Sequence, residues 1–151
     1  MAFTWKRSGT TCINLPEAHD LVRLLRALIE LVQPDAIIIT ETNVPNHENL
    51  AYFGQRDEAH CIYNFALPPL LIHTLLEGDS SRMTRWLMSM PPAVLGTTYF
   101  NFLASHDGIG LRPVEGLLST AELESMRDKL QANGALLSWL ELPDGDKSIY
   151  E

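Results

Sequence analysis

The feature that most constrains the fold is the stretch from 99 to 113, where an apolar run ends abruptly at a charged pair. Residues 99–104 read Tyr-Phe-Asn-Phe-Leu-Ala, a composition typical of a strand that is buried on both faces. The run ends at His106 and Asp107, and a glycine-containing loop follows. In parallel barrels, the carboxyl ends of such strands form the rim where chemistry takes place. The stretch therefore predicts a parallel α/β fold with polar side chains at this rim.

A second apolar strand has the same construction. Residues 36–40 read Ala-Ile-Ile-Ile-Thr and run directly into Glu41. One carboxylate at a strand end means little, but two of them, each after an apolar run, indicate a paired-carboxylate site. Such a pair suits general acid–base chemistry.

Composition and charge exclude several classes of protein. The chain has 151 residues, a length that allows one domain with a sizeable core, and a net charge of −8 without Lys/Arg clusters, which argues against a nucleic-acid surface. No apolar run approaches the ~20 residues that span a bilayer, and no signal-peptide core follows Met1. Cys12 and Cys61 lack metal-ligand spacing, so we expect no metal site, no disulfide framework, and a cytoplasmic location.

Helical periodicity and turn residues predict the remaining elements. Pro16 opens a helix that ends before Pro34, and its leucine stripe is expected to be core. The other predicted elements are a strand at 61–66, helices at about 70–78 and 80–90, a helix capped by Thr120 that runs to about 131, and a hairpin of 135–141 with 148–150. His19 is expected to cap or solvate the first helix, and His73 is expected to be structural.

Residues 42–58 are predicted to form a polar loop. Tyr52 and Phe53 within it could stack on a ligand or pack in the core, and the sequence leaves both open. Residues 57–60, Asp-Glu-Ala-His, imitate a helicase box, but no phosphate-binding Gly-x-x-x-x-Gly-Lys motif precedes them, so ATP binding is rejected.

Two segments resemble signature regions of a known enzyme family. Residues 102–107, Phe-Leu-Ala-Ser-His-Asp, resemble the fourth conserved region of the α-amylase superfamily, glycoside hydrolase family thirteen. Residues 39–45, Ile-Thr-Glu-Thr-Asn-Val-Pro, resemble the third. Their order and spacing are most similar to the sucrose-phosphorylase-like branch, and the resemblance runs through essentially the whole chain.

The resemblance implies a role for each candidate residue. Glu41 would be the general acid/base, with a pKa raised by partial burial at the barrel mouth, and Asp107 would stabilise the oxocarbenium-like transition state. His106 would bind the same glucosyl ring, while Thr42 and Asn43 would face the leaving group or acceptor. Arg112 would meet an anionic acceptor or form a structural salt bridge; both remain open. The substrates implied are an α-glucoside and inorganic phosphate, without any cofactor.

The implied fold is part of a (β/α) TIM barrel, about strands five to seven with their helices, in a single catalytic domain over 1–151. A whole barrel needs ~250 residues, so the first strands, the last strand and the C-terminal β-domain of the family are expected to be missing. The family's nucleophile, in an Arg-x-Asp motif, is expected just upstream of Met1. The isolated chain is therefore expected to be inactive, and its unpaired strand edges are expected to leave it poorly folded.

Two rival hypotheses remain at this point. In the first, water or a sugar replaces phosphate as acceptor, so that the enzyme is an α-glucosidase or transglucosidase. In the second, the chain is a catalytically inert product of a truncated reading frame. The sequence identifies neither donor nor acceptor: sucrose, sucrose phosphate, glucosylglycerate and glucosylglycerol all remain open. The oligomeric state is also undetermined.

Overall fold

The computed structural model describes residues 2–141 and 147–149, with side chains described for 2–139. Its elements follow in the order α1 (Pro16–Val32), β1 (Ile39–Thr40), α2 (Asn46–Ala51), β2 (Cys61–Tyr63), α3 (Leu67–Glu77), α4 (Ser81–Ser89), β3 (Thr98–Phe100), a 3₁₀ turn (Arg112–Val114), α5 (Thr120–Ala132), β4 (Trp139–Glu141) and β5 (Lys147–Ile149).

Strands β1, β2 and β3 form a parallel sheet in that order. Ile39 lies opposite Cys61, which in turn lies opposite Thr98. The three predicted strands are confirmed in position, but each is shorter than the apolar run that predicted it. Because the strands are parallel, their carboxyl ends share one edge of the sheet, and that edge carries Glu41.

The chain divides into two compact units, unit 1 of residues 1–64 and 92–101 and unit 2 of residues 65–91 and 102–151. The single catalytic domain expected over 1–151 stays a prediction.

Unit 1 contains the parallel sheet, α1 and α2. Its core consists of Val22, Tyr52, Ala59 and Ile62, against which Tyr99 packs. Residues 42–58, predicted as a loop, include the six-residue helix α2. This helix could not be predicted from its residues, Asn-His-Glu-Asn-Leu-Ala, because they carry no apolar periodicity.

The predicted burial of the leucine stripe on α1 is wrong in this structure. Leu31 and Val32 are each 82% exposed, and Leu24, Leu25 and Leu28 are exposed as well. The helix instead buries Ala18 and Val22. The stripe is apolar, as its periodicity shows, but no element among the described residues covers it.

Unit 2 contains α3, α4 and α5 around a core of Ala66, Leu70, Trp86, Val114 and Leu118. His73 is buried, as its predicted structural role requires, although neither ring nitrogen has a hydrogen-bond partner among the described residues.

Helix α5 begins at Thr120 itself, so its cap lies one residue before the predicted one. Ser119, not Thr120, is the N-cap, and it forms a capping box with Glu122. Strands β4 and β5 pair antiparallel and confirm the predicted hairpin. Residues 143–146 and Tyr150 of the predicted hairpin lie outside the described residues.

Within the described part of the chain, none of the helices combines the length and apolar character needed to cross a bilayer.

Candidate active site

Glu41 follows directly after the last residue of β1, and its side chain is exposed. Burial alternates along this segment, because Thr40 and Thr42 are buried on either side of it. The described residues of unit 1 therefore do not bury Glu41, which was expected to be partly buried. An exposed carboxylate at the carboxyl end of a parallel strand can exchange protons with a ligand bound at that edge.

Thr42 is buried, and its hydroxyl donates a hydrogen bond to Asn49 Oδ1 at 2.9 Å. The Asn49 amide nitrogen donates in turn to the Tyr63 carbonyl at 2.7 Å. The sequence predicted a ligand contact for Thr42, whereas the structure gives its hydroxyl a partner inside unit 1. This connection ties the segment after Glu41 to the end of β2.

Two polar atoms beside Glu41 are buried without a hydrogen-bond partner among the described residues. They are Thr40 Oγ1 and Asn43 Oδ1. A buried acceptor without a donor costs free energy. Asn43 Oδ1 is thus an unpartnered acceptor close to Glu41 in the chain, and the predicted place of Asn43 near the leaving group or acceptor stays a prediction.

The ends of β2 and β3 are joined by a pair of asparagines. Asn64 Nδ2 donates to Asn101 Oδ1 at 2.9 Å, and the Asn64 amide donates to the Phe100 carbonyl at 2.9 Å. The rings of Tyr63 and Phe100 lie with their centroids 4.7 Å apart. Sequence reasoning did not single out this pair, although both asparagines follow predicted strands.

His106 and Asp107 lie in unit 2, in a tight turn after the strand region. The Asp107 amide donates to Ser105 Oγ at 3.2 Å, and Gly108 adopts φ +89°, which favours glycine. His106 Nε2 lies 3.2 Å from Asp107 Oδ1, and both side chains are well exposed, His106 at 89%. Both are therefore accessible to a ligand.

Arg112 begins the 3₁₀ turn. Its Nε lies 3.9 Å from Glu115 Oε1, and more than half of the Glu115 side chain is exposed. A long, solvent-screened pair of this kind contributes little to stability. Both hypotheses for Arg112 therefore remain open, since this weak pair leaves donors for an anion.

A cavity of about 380 Å³ in unit 2 lies beside this turn. Its lining is mainly apolar and includes Ile72, Ile109, Leu111, Met126 and Leu130. A sugar needs hydrogen-bond partners for its hydroxyl groups, which these side chains do not offer. The lining of this cavity therefore suits an apolar group better than a sugar.

The predicted site residues divide between the two units. Glu41, Thr42 and Asn43 belong to unit 1, and His106, Asp107 and Arg112 belong to unit 2. The predicted pairing of the Glu41 and Asp107 carboxylates remains a prediction, as do the roles assigned to all six. Among the described residues, no group of three or more His, Cys, Asp or Glu side chains could hold a metal ion.

The Asp-Glu-Ala-His box has a structural role that the sequence did not show. Glu58 is buried, and its two carboxylate oxygens each lie 2.7 Å from a partner on α1, His19 Nδ1 and Arg23 Nη2. Asp57 lies 3.3 Å from Arg23 Nε. The His19 prediction of a cap or solvated residue is thus corrected, because its ring pairs with Glu58 and stacks on Tyr52.

Two ionisable side chains in or near this segment, Tyr52 and His60, have shifted pKa values. Burial raises the pKa of Tyr52 to about 12, and the nearby Glu58 and Glu48 carboxylates act in the same direction. Burial and Arg26 lower the pKa of His60, whose Nδ1 accepts a hydrogen bond from the Ile38 amide. A neutral ring with Nδ1 as acceptor fits that bond, which holds the amino end of β1 to β2.

Comparisons with known proteins find glycoside phosphorylases among those similar to this chain. The chain is 47% identical over 152 residues to a glucosylglycerate phosphorylase of Escherichia coli, covering all of this chain and 27% of that protein. It is 26% identical to a sucrose phosphorylase of Agrobacterium vitis, over 97% of this chain and 31% of that protein. The chain thus spans between a quarter and a third of the length of these curated relatives. No family model matches it.

The structural comparison confirms the fold. The crystal structure of a sucrose 6F-phosphate phosphorylase from Thermoanaerobacter thermosaccharolyticum matches with a TM-score of 0.78 and 21% identity, over 99% of this chain and 30% of that one. The α/β fold is therefore part of a (β/α) TIM barrel, as predicted.

Proposed function

Because this chain is a relative of the phosphorylases in the sucrose-phosphorylase-like branch of glycoside hydrolase family thirteen, we propose that its residues form part of an α-glucoside phosphorylase site. The observation that carries the proposal is the 47% identity to a glucosylglycerate phosphorylase over the whole chain. The positions of Glu41 after β1 and of the accessible Asp107 in its turn support it.

The proposed mechanism is a double displacement with retention at the anomeric carbon. An aspartate outside these 151 residues attacks the anomeric carbon, the glycosidic C–O bond breaks, and Glu41 gives its proton to the leaving oxygen. Phosphate then attacks the glucosyl ester and its proton passes to Glu41. The ester bond breaks, α-glucose 1-phosphate leaves, and the aspartate is free again. No cofactor is needed.

The other residues stabilise and orient the sugar. Asp107 holds the developing positive charge of the transition state and accepts hydrogen bonds from sugar hydroxyls. His106, beside it, contacts the same ring. Asn43 accepts from the leaving group or acceptor, Thr42 supports the segment, and Arg112 offers its guanidinium to the phosphate or to an acidic acceptor.

We also propose that the 151 residues alone are inactive. Their sequence contains no Arg-x-Asp motif, so nothing in them matches the family's nucleophile. A cytoplasmic location is proposed as well, supported by the two unpaired cysteines, Cys12 and Cys61.

A segment-exchange protein tests the function directly. In it, residues 1–151 of this chain replace the matching region of the Escherichia coli relative, which supplies the rest of the barrel. We expect it to form glucose 1-phosphate from phosphate and an α-glucoside, with glucosylglycerate and sucrose tested first. The matched control is the unmodified Escherichia coli protein. Release of free glucose without glucose 1-phosphate would contradict phosphorolysis, and a folded but inactive exchange protein would contradict the whole proposal.

A further inference from the structure

Asn49 holds the segment that carries Glu41. It is only 3% exposed, yet both ends of its amide are bonded: Oδ1 accepts from the Thr42 hydroxyl and Nδ2 donates to the Tyr63 carbonyl. Asn49 therefore connects the residue after Glu41 to the last residue of the neighbouring strand.

Backbone geometry explains why a side chain is needed here. Along a strand, successive backbone groups point alternately to the two neighbouring strands. In β2 the Cys61 amide bonds to the Ile38 carbonyl on the β1 side, while the Asn64 amide bonds to the Phe100 carbonyl on the β3 side. The Tyr63 carbonyl consequently faces the β1 side.

Beside Tyr63, β1 has already ended. Its last ladder pair is Thr40 with Ile62, and the chain beyond it no longer belongs to the strand. The Asn49 amide supplies the donor for Tyr63 that the strand no longer offers. Asn49 Oδ1 also accepts a hydrogen bond from the Thr42 hydroxyl. The chain that follows β1 therefore stays attached to the sheet through the Asn49 side chain.

Asn49 is itself firmly placed. Its backbone amide bonds to the Pro45 carbonyl, and its carbonyl accepts from the Tyr52 amide. Helix α2 is tied to the chain before α1, because Asn14 bonds to both Glu48 and the Tyr52 hydroxyl. A buried side chain fixed at its backbone on both sides loses little further entropy when it positions its neighbours.

We propose that Asn49 is a positioning residue for Glu41, acting in series through Thr42 and the Tyr63 carbonyl; the proposal rests on the proposed function. Asn49 touches neither substrate nor phosphate. It sets the direction in which the Glu41 side chain projects from the edge of the sheet. Proton transfer depends on a hydrogen-bond distance between donor and acceptor, so a displaced Glu41 lowers the rate of the steps that it catalyses.

Two variants break the connection at different links. Thr42→Val removes the hydroxyl at nearly constant shape, and Asn49→Asp replaces the donor to Tyr63 with a carboxylate oxygen. In the segment-exchange protein we expect each to lower kcat for an unactivated glucoside with phosphate by about 10- to 100-fold, with KM within about twofold. Thr42→Ser, which keeps the hydroxyl, should recover most of the rate. Because the links act in series, the double variant should lose little more than either single one.

A second substrate pair separates positioning from general damage. Transfer from α-glucosyl fluoride to azide needs neither an acid nor a base, so both variants should retain it within about threefold. Matched controls lose similar bonds elsewhere: Thr74→Val loses the bond to the Leu70 carbonyl, and Asn133→Asp loses the donor to the Lys129 carbonyl. In these controls we expect no change in the ratio between the two substrate pairs.

Hydrogen exchange of the segment-exchange protein provides a readout that is independent of turnover. The amides of residues 41–44 should exchange roughly tenfold faster in Thr42→Val and Asn49→Asp, the factor expected from one lost buried hydrogen bond. Unchanged exchange at 41–44, or equal loss for both substrate pairs, would overturn the role of Asn49. If the unmodified exchange protein forms no glucose 1-phosphate, the proposed function fails, whereas faster exchange at 41–44 would still establish that Asn49 holds this segment.

Discussion

Replacing Glu58 with glutamine should weaken the attachment of α1 to the rest of unit 1. The Glu58 side chain is 1% exposed, and its oxygens each lie 2.7 Å from a partner on α1, His19 or Arg23. A hydrogen bond to a charged group contributes roughly 1.5–3 kcal/mol, and breaking a fully buried pair costs about 3–5 kcal/mol. Arg23 is 41% exposed and keeps Asp20 at 2.8 Å, so water and that partner recover part of the loss.

We therefore expect Glu58→Gln to lower the free energy of opening of α1 by about 2–3 kcal/mol. Native-state hydrogen exchange of the segment-exchange protein measures this, because the α1 amides should exchange about 30- to 160-fold faster. The matched control is Asp57→Asn, which removes the neighbouring carboxylate at 3.3 Å from the same Arg23. Asp57 is half exposed, so its loss should cost below about 1 kcal/mol. Equal effects of the two substitutions would refute the argument that burial gives Glu58 its strength.

Three other predictions concern unit 2 and the isolated chain. Hydrogen bonds from the Ser119 hydroxyl and amide, and then from Arg82, lower the pKa of Glu122 from its ordinary 4.5 to about 2. The contribution of Glu122 to the stability of α5 should therefore be fully present above pH ~4.5 and be lost as the pH falls toward 2. We expect this contribution to be about 1–2 kcal/mol, after allowance for solvent screening. Glu122→Gln should abolish this pH dependence, measured as hydrogen exchange of the α5 amides. Asp107→Asn in the segment-exchange protein should lower kcat for activated and unactivated donors alike, and a rise in KM alone would contradict its role at the transition state. The 151 residues expressed alone should form no glucose 1-phosphate, bind hydrophobic dyes and lack a cooperative melt, so a sharp transition in a monodisperse sample would disprove the folding half of that expectation.

The positions of the main elements could be predicted from local sequence signals. Pro16 and the apolar periodicity located α1, and β-branched or aromatic runs located β1 and β3. The predicted strands were longer than the observed ones because composition shows where a strand fits but not where its neighbour ends. The ladder of β1 stops at Thr40, where its pairing with β2 stops.

The partners of polar side chains could not be predicted in this way. Glu58 bonds to residues on α1 that lie 35 and 39 positions away, and Asn49 bonds to Tyr63 across 14 positions. The exposed leucines of α1 show the same limit, because periodicity identifies an apolar face but not what covers it. Glu41 and Asp107 were identified through family resemblance, since a carboxylate at a strand end is by itself weak evidence of catalysis.

The most direct test of the central claim is the Glu41→Gln variant of the segment-exchange protein, assayed with two substrate pairs. Formation of glucose 1-phosphate from an unactivated α-glucoside and phosphate should fall by ~10²–10⁴-fold, because neither proton transfer has its catalyst. Transfer from α-glucosyl fluoride to azide should persist and yield α-glucosyl azide, since the nucleophile supplied by the rest of the barrel is intact. Near-normal formation of glucose 1-phosphate would contradict the assignment of Glu41, and a β-glucosyl azide product would contradict the retaining mechanism.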